Sequence, residues 1–268
     1  MAASSILWGV LSTSRPATSL LHALLGSLFL FLNCADPRAA FTLFPILLLL
    51  CMATFSINDL LDAEQDRINH PKRFLVTNPS AKRLSTAYYL LLILAFCFVS
   101  ADMAPIAHSW IYISALVIFT NYSIIKSNIP LFKNIYIAMA HVAFCFAVFH
   151  AYQINAWASF YAGVFLVLTA REILMDIPDM KGDHDSIARR LGPRPSFSLA
   201  IGLNVLAAAI IMPHLWPSRL LLAPIGFVFP IMLFIRMRYT TSACAVGTYT
   251  RVVSGLPLLY SAYLVTAS

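Results

Sequence analysis

Charged side chains are scarce in this 268-residue sequence. Only 11% of the residues are Asp, Glu, Lys or Arg, and 60% are hydrophobic, whereas a soluble domain usually carries about a quarter charged residues. So few charges cannot cover a water-facing globule. Apolar runs that approach the ~20 residues of a bilayer span recur along the chain. The composition therefore excludes an ordinary soluble enzyme and indicates a helical membrane protein.

Cysteine and histidine offer little chemistry. The five cysteines are odd in number and scattered, mostly inside apolar runs, without a CxxC pair. This distribution excludes a disulfide framework and favours packing roles. The seven histidines show no HExxH pattern or paired spacing. Zinc and haem sites therefore gain no support from the sequence.

Polar breaks divide the sequence into nine candidate membrane spans. They lie roughly at residues 17–34, 39–58, 84–101, 105–125, 131–151, 156–175, 196–214, 217–236 and 247–267. The first apolar stretch lacks a basic leader and reads as an ordinary span rather than a signal peptide. We therefore predict an all-α polytopic membrane bundle of about nine transmembrane helices around a central cavity. A single domain would cover residues 1–268.

The cationic residues predict the orientation of the bundle. With nine spans, 16 of the 18 Lys and Arg residues fall on one side of the membrane. The positive-inside rule then places the N-terminus and the cation-rich loops in the cytoplasm, and the C-terminus on the opposite side. The net charge of +7 is explained by the bilayer, so we expect no nucleic-acid partner.

The acidic residues are concentrated in two of the cytoplasmic loops. Of the 11 Asp and Glu residues, nine lie in these loops, and each loop contains three aspartates spaced i, i+3 and i+7. The two triplets are Asp59, Asp62 and Asp66, and Asp176, Asp179 and Asp183. The segments align without a gap at an offset of 117 residues. This alignment suggests a diverged duplication with halves at about 15–130 and 131–268.

Three carboxylates on one helix face repel each other, and the cost is greater at the edge of a bilayer. Solvated loop charge is the simplest alternative, but two triplets of equal spacing, each at the end of a span, favour bound cations. Oxygen ligands without nearby His or Cys suit Mg²⁺, which typically takes one or two carboxylates together with substrate phosphates. We therefore predict that all six aspartates are catalytic metal ligands, and that Mg²⁺ connects them to a diphosphate. Pro178 disfavours a regular helix through the second segment.

Basic and hydroxyl groups near the acidic segments complete a predicted phosphate site. Lys72 and Arg73 follow the first triplet, and Lys126 ends the fourth predicted span. Tyr122 and Lys126 are four residues apart, so a helix would place them on one face. Lys126 also fits an interface lysine that extends towards water, and its spacing alone favours neither interpretation.

The first acidic segment and its continuation carry a family resemblance. Residues 58–66, NDLLDAEQD, resemble the NDxxDxxxD signature of the UbiA superfamily of intramembrane prenyltransferases. Residues 67–73 resemble the stretch that usually follows it, although Phe74 stands where Pro is common. The resemblance implies that Asn58 belongs to the diphosphate site.

Four further stretches extend the resemblance over essentially the whole chain. Residues 179–183 resemble the second, DxxxD motif, and residues 171–176 resemble its REIxxD lead-in. Residues 122–126 resemble the YxxxK motif, and Arg15-Pro16 resembles an Arg-Pro pair before the first span. The loop after Asp183 departs from the family because it is short and carries Arg189 and Arg190.

The resemblance implies a Mg²⁺-dependent transferase that ionises an isoprenyl diphosphate and passes the prenyl group to an acceptor. Base rate favours an aromatic ring as acceptor. A lipid-alcohol prenyltransferase and a terpene cyclase without an acceptor are alternatives within the family. Outside the family, a cation transporter is the main alternative, but its carboxylates should lie in mid-span rather than at span ends. A scaffold subunit would need neither acidic triplet.

Overall fold

The computed structural model describes residues 3–33, 37–129, 132–182 and 185–211. Within these ranges all regular structure is helical, which confirms the all-α prediction for this part of the chain. The helices are α1 (Ala3–Ser12), α2 (Pro16–Asn33), α3 (Arg38–Leu61), α4 (Ala63–Asn69), α5 (Phe74–Thr77), α6 (Lys82–Met103), α7 (Ile106–Thr120), α8 (Tyr122–Asn128), α9 (Lys133–Ala151), α10 (Ala158–Asp179), α11 (Ile187–Leu191) and α12 (Pro193–Ile211). A 3₁₀ turn at Pro79–Ala81 precedes α6.

Six helical stretches of the described chain are long and apolar enough to cross a membrane. They are Arg38–Leu61, Pro79–Met103, His108–Lys126, Lys133–Ala151, Ala158–Asp179 and Pro193–Ile211, and α2 contributes a shorter apolar stretch at Pro16–Phe31. These helices coincide with the first seven predicted spans. The predicted spans at 217–236 and 247–267 lie outside the described residues.

Proline and glycine mark several helix boundaries. Pro16 and Pro193 are the first residues of α2 and α12, where the missing N–H of proline costs nothing. Pro105 separates α6 from α7. Gly192 follows α11 with φ 84°, a left-handed conformation that L side chains rarely adopt. These residues explain why the long apolar runs break into separate helices.

The chain divides into two compact units, Met1–Ile124 with Ala151–Gln153, and Ile125–His150 with Ile154–Ser268. In the first unit α3 packs against α2 and α6. A Cβ atom added at Gly26 of α2 would lie 2.5 Å from Cδ1 of Leu47 in α3. Small residues allow this close approach of helices, which stabilises membrane bundles mainly through van der Waals packing.

In the second unit α10 packs against α12, and α11 lies against both. Their shared core consists of Ala170, Leu174, Ile177, Ala188, Phe197 and Ala200. A Cβ atom at Gly163 would lie 2.3 Å from Cδ1 of Ile211, so glycine gives this isoleucine side chain its place where the two helices approach. This core anchors the part of α10 that precedes the second acidic segment.

Helix α6 has a surface of large apolar side chains that suits contact with lipid. Leu90, Leu91, Leu94 and Phe98 are each more than half exposed. In water such a surface would be an aggregation hazard, but it suits the acyl chains of a bilayer. Exposure of large apolar side chains therefore agrees with the membrane assignment.

Candidate active site

The first acidic segment lies at the end of α3 and continues into α4. Asp59 is in the last turn of α3, and Asp62 is the junction residue between the two helices. The N–H of Asp62 donates to the carbonyl of Asn58 at 2.8 Å, and the N–H of Asp66 donates to the carbonyl of Asp62 at 2.9 Å. The helical hydrogen-bond register therefore persists through the triplet, so the spacing places the three carboxylates on one side of the chain.

Arg15 is held against Asp59. Its Nη2 atom donates to Oδ1 of Asp59 at 2.6 Å, and its guanidinium lies 5.0 Å from the centroid of the Phe55 ring, within cation–π range. Arg15 has φ 46°, an uncommon conformation for a residue with a side chain.

The turn that contains Arg15 is tied to two helices. The hydroxyls of Thr13 and Ser56 are 3.4 Å apart, and those of Ser14 and Tyr88 are 3.1 Å apart. These contacts attach the turn to α3 and α6. They support the left-handed backbone at Arg15 and fix the position from which its side chain reaches Asp59.

Arg73 approaches the same carboxylates from the chain after α4. Its Nη1 atom lies 2.5 Å from Oδ2 of Asp66 and 3.6 Å from Oδ1 of Asp59. Asp66 is only 5% exposed. Burial raises the pKa of its carboxyl, Arg73 opposes this shift, and the charges of Asp59 and Asp62 add to it. The segment thus gathers mutually repelling carboxylates that positive charge must stabilise.

The N-terminal helix α1 was not predicted from the sequence, and it contacts the residue after Arg73. A Cβ atom added at Gly9 of α1 would lie 2.1 Å from the Phe74 ring. Only glycine therefore allows the ring to pack there. Because α1 leads into the turn of Arg15, and Phe74 follows Arg73, this contact joins the two segments that supply cations to Asp59.

The second acidic segment forms the end of α10. The helix includes Pro178 and ends at the next residue, Asp179. A proline within a helix removes one backbone donor and crowds the preceding turn, so this ending agrees with the expectation that Pro178 disfavours a regular helix through the whole segment. Asp176 and Asp179 thus share one helix turn. The N–H of Gly182 then donates to the carbonyl of Asp179 at 3.1 Å. Asp183 lies outside the described residues.

Asp176 is enclosed by polar groups from the start of α9. Its Oδ1 atom is 2.7 Å from Nζ of Lys133, and its Oδ2 atom accepts a hydrogen bond from Nδ2 of Asn134 at 2.9 Å. All three side chains are buried. The sequence analysis missed this cluster, since a lysine at the end of an apolar run is normally an interface residue.

Both acidic segments oppose the helix dipole. Asp59 and Asp179 lie at the C-terminal ends of α3 and α10, where the backbone carbonyls carry partial negative charge. An exposed carboxylate in such a position costs roughly 0.3–1 kcal/mol. Selection for stability alone would place cations there, so the arrangement favours a binding role for the carboxylates.

The predicted diphosphate-binding residues differ in exposure. Asn58 and Arg73 are partly buried, and Lys72 is exposed. Tyr122 and Lys126 are partly buried on α8, four residues apart. Their assignment to a phosphate site remains a prediction. Arg15 and Lys133 were not among the predicted site residues, although the Arg-Pro resemblance pointed to Arg15.

The short loop after the second segment contains α11. The Ser186 hydroxyl accepts a hydrogen bond from the N–H of Arg189 at 3.2 Å and caps this helix. Ala188 is buried in the core of the second unit, and Arg190 forms an exposed ion pair with Asp185. Residues 185–190 are therefore held in place by contacts within the loop and with the core of the second unit.

The donor chemistry fits a hard cation. Among the described residues, no three His, Cys, Asp or Glu side chains converge on one point. Mg²⁺ seldom uses an all-protein cage and takes further oxygens from phosphate and water, so such a group is not a condition for binding it. The available donors are carboxylates. Burial is the main cause of the raised pKa of Asp66, and added positive charge would relieve the repulsion from Asp59 and Asp62 that adds to it.

Comparison with known proteins extends these observations. Residues 4–251 match the UbiA prenyltransferase family. Digeranylgeranylglyceryl phosphate synthase of Methanoregula boonei is 29% identical over 241 residues, which cover 84% of each chain.

Solved structures share the fold. An apo UbiA homologue from Aeropyrum pernix K1 superposes with a TM-score of 0.71 at 16% identity, covering 94% of this chain and 98% of its own. A UbiA homologue from Archaeoglobus fulgidus, bound to GPP and Mg²⁺, gives a TM-score of 0.68 at 15% identity, covering 97% of this chain and 100% of its own.

Proposed function

Because this chain belongs to the UbiA prenyltransferase family, and is thus a prenyltransferase, we propose that it transfers a prenyl group from an isoprenyl diphosphate to a lipid acceptor. Mg²⁺ is the cofactor that the homologous complex with GPP and Mg²⁺ supports. The observation that carries the proposal is the first acidic segment, where Arg15 and Arg73 meet the carboxylates of Asp59 and Asp66. Such a site offers carboxylates to the metal ion and guanidinium groups to the diphosphate oxygens.

Asp59, Asp62 and Asp66 would hold Mg²⁺ on one side of the diphosphate, and Asp179 and Asp183 would hold it on the other. When bound, Mg²⁺ polarises the diphosphate and makes it a better leaving group. The sequence also predicts Asp176 as a ligand, but its contacts with Lys133 and Asn134 favour a different role.

The arginines of the first segment have a second function in this scheme. Once the carboxylates face a metal ion, the guanidinium groups of Arg15 and Arg73 become available to the diphosphate oxygens. Planar guanidinium groups suit phosphate through paired hydrogen bonds. Asn58, Lys72, Tyr122 and Lys126 would add donors that stabilise the charge developing on the leaving group.

The acceptor is proposed from the relatives. A digeranylgeranylglyceryl phosphate synthase makes, by its name, a glyceryl phosphate that carries two geranylgeranyl chains. Its final acceptor would then be a glyceryl phosphate lipid that carries one chain and a free hydroxyl. We propose an acceptor of this class here. The expectation of an aromatic ring gains no support from the comparisons.

Product analysis tests this function. Membranes containing the protein are supplied with Mg²⁺ and geranylgeranyl diphosphate, together with geranylgeranylglyceryl phosphate or an aromatic acid, and the products are identified by mass. We expect the doubly prenylated lipid and released diphosphate, both lost in excess EDTA and restored by Mg²⁺. Prenylated aromatic acid would replace the proposed acceptor, a cyclic hydrocarbon made without acceptor would indicate a cyclase, and full activity in EDTA would exclude the metal mechanism.

We also propose the topology of the bundle: nine spans around a central cavity, with the N-terminus and both acidic segments in the cytoplasm. The described spans and the distribution of Lys and Arg support it. Reporter fusions at each terminus test it, with the N-terminal reporter expected on the cytoplasmic side and the C-terminal reporter outside. Two reporters on one side would require an even number of spans.

A further inference from the structure

The buried cluster of Lys133, Asn134 and Asp176 suggests a role that the aspartate spacing did not predict. The Lys133 side chain is 2% exposed and that of Asp176 is 7% exposed, and Asn134 is 1% exposed. The Lys133 ammonium and the Asn134 amide engage different oxygens of the Asp176 carboxylate. A metal ion at Asp176 would therefore have to replace a buried cation.

A buried lysine needs a counter-charge. An ammonium group without one would pay a large desolvation penalty, and the pair survives only because its geometry and hydrogen bonds compensate for that penalty. The first segment differs, because the arginine at Asp59 is 35% exposed and the carboxylate is 14% exposed. Water can therefore replace Arg15 at Asp59. Water cannot replace Lys133 at Asp176, because both side chains of that pair are enclosed.

Because of the position of Asp176 in α10, its pair with Lys133 also affects the placement of Asp179. Asp176 and Asp179 lie in the same last turn of α10, and Lys133 and Asn134 form the first turn of α9. A contact between these turns fixes the end of α10 in place. It would set the direction in which Asp179 presents its carboxylate.

We propose that Lys133, Asn134 and Asp176 form a positioning unit that holds the end of α10, and that Asp176 is the counter-ion of Lys133 rather than a ligand of Mg²⁺. The inference rests on the proposed function, since it concerns how the second acidic segment presents Asp179 to the metal diphosphate. Asp176 and Asp179 then have different roles despite their common spacing.

A double-mutant cycle separates a counter-ion from a ligand. Removing one partner of a buried pair leaves an uncompensated charge, whereas replacing both partners with neutral groups is often tolerated. Lys133→Met and Asp176→Asn change the charges with little change in volume. We expect each single variant to lose activity on the order of 10²-fold, a loss typical of misplaced groups, and the double variant to recover most of it.

Metal binding provides a readout that is independent of turnover. Mn²⁺ replaces Mg²⁺ as a paramagnetic probe, and bound ions are counted in purified protein with inorganic pyrophosphate present. The Lys133→Met/Asp176→Asn protein should bind as many Mn²⁺ ions as the wild type with unchanged affinity. The matched control, Asp179→Asn, should lose an ion or bind it at least about tenfold more weakly, since loss of an outer-shell partner alone typically costs about 10–100-fold in metal affinity.

The outcomes are distinct. Loss of a bound ion in the double variant, or activity as low as in Asp176→Asn alone, would show that Asp176 is a ligand and would overturn the proposal. If a single variant does not fold, thermal unfolding of the double variant decides, because only a counter-ion pair predicts near wild-type stability. This unfolding measurement needs no turnover. Failure of the proposed function would instead appear as a wild-type protein that releases no diphosphate.

Discussion

The two acidic segments look alike in sequence but differ in how their carboxylates are neutralised. In the first, Arg15 and Arg73 are about one-third exposed and contact Asp59 and Asp66 from two directions. In the second, a fully enclosed Lys133 pairs with Asp176. Equal spacing of aspartates therefore does not mean equal chemistry, because the partner's burial decides whether a carboxylate can exchange its cation for a metal ion.

Despite this difference, the two segments share a similar separation along the chain between the first aspartate and one of its partners. Arg15 precedes Asp59 by 44 positions, and Asn134 precedes Asp176 by 42. In each case a group just before or at the start of one helix binds the first aspartate near the end of the following long helix. A duplication would produce this match, and the predicted halves remain a prediction.

The largest effect should come from breaking both segments. Asp62→Asn and Asp179→Asn should each nearly abolish diphosphate release, because ions held on one side alone leave half of the diphosphate unneutralised. The double variant should then be little worse than either single variant, since groups that act as one unit are strongly non-additive. Diphosphate release in the presence of Mg²⁺ is the measurement.

A control makes this cycle interpretable. Each variant should keep its thermal stability in detergent, because removing one of several repelling carboxylates does not weaken the fold. Modest losses that multiply in the double variant would show that the two segments act independently. That result would refute a shared site.

A smaller effect should follow from disturbing the support of Arg73. Gly9→Ala places a Cβ atom against the Phe74 ring and should displace Arg73. We expect KM for the isoprenyl diphosphate to rise several-fold with less change in kcat. A displaced Arg73 would bind the diphosphate more weakly in the substrate complex and in the transition state alike. Steady-state kinetics over a range of diphosphate concentrations measure it.

The chain offers both a rescue and a control for this prediction. Phe74→Leu should restore much of the binding when combined with Gly9→Ala, because the smaller side chain leaves room for the methyl group. Gly202→Ala in α12 is the matched control, since no atom of the described residues outside its own helical backbone lies within 4 Å of the added Cβ. An unchanged KM in Gly9→Ala would mean that α1 does not position Arg73.

The sequence predicted the features that depend on local pattern. Hydropathy located the described spans, and the i, i+3, i+7 spacing singled out Asp59, Asp62 and Asp66, although the sequence analysis placed them in a loop and the structure continues the helical register through them. Helix α1 was missed because its 10 residues are too few to span a bilayer and carry no acidic motif. Lys133 was missed because its meaning depends on Asp176, a contact between distant residues that no local pattern encodes.

The smallest effect should come from the pair of Asp185 and Arg190. It is more exposed than the pair of Arg15 and Asp59, which in turn is more exposed than the pair of Lys133 and Asp176. The hydrogen bond from Arg190 lowers the pKa of Asp185, so the folded state favours the charged carboxylate. Any stabilisation from this pair is then present above the ordinary Asp pKa of about 3.9 and is lost as the pH falls through the lowered value. Because both side chains are in contact with water and salt, its contribution should be small. Asp185→Asn should therefore unfold at nearly the wild-type temperature at pH 7, and the remaining difference should shrink as the pH falls below about 3.9 and vanish once the pH is below the lowered pKa of Asp185. A large loss of stability at pH 7 would show that exposure does not determine how much an ion pair contributes to the stability of this protein. The contrast drawn between Arg15 and Lys133, which depends on their exposure, would then be wrong.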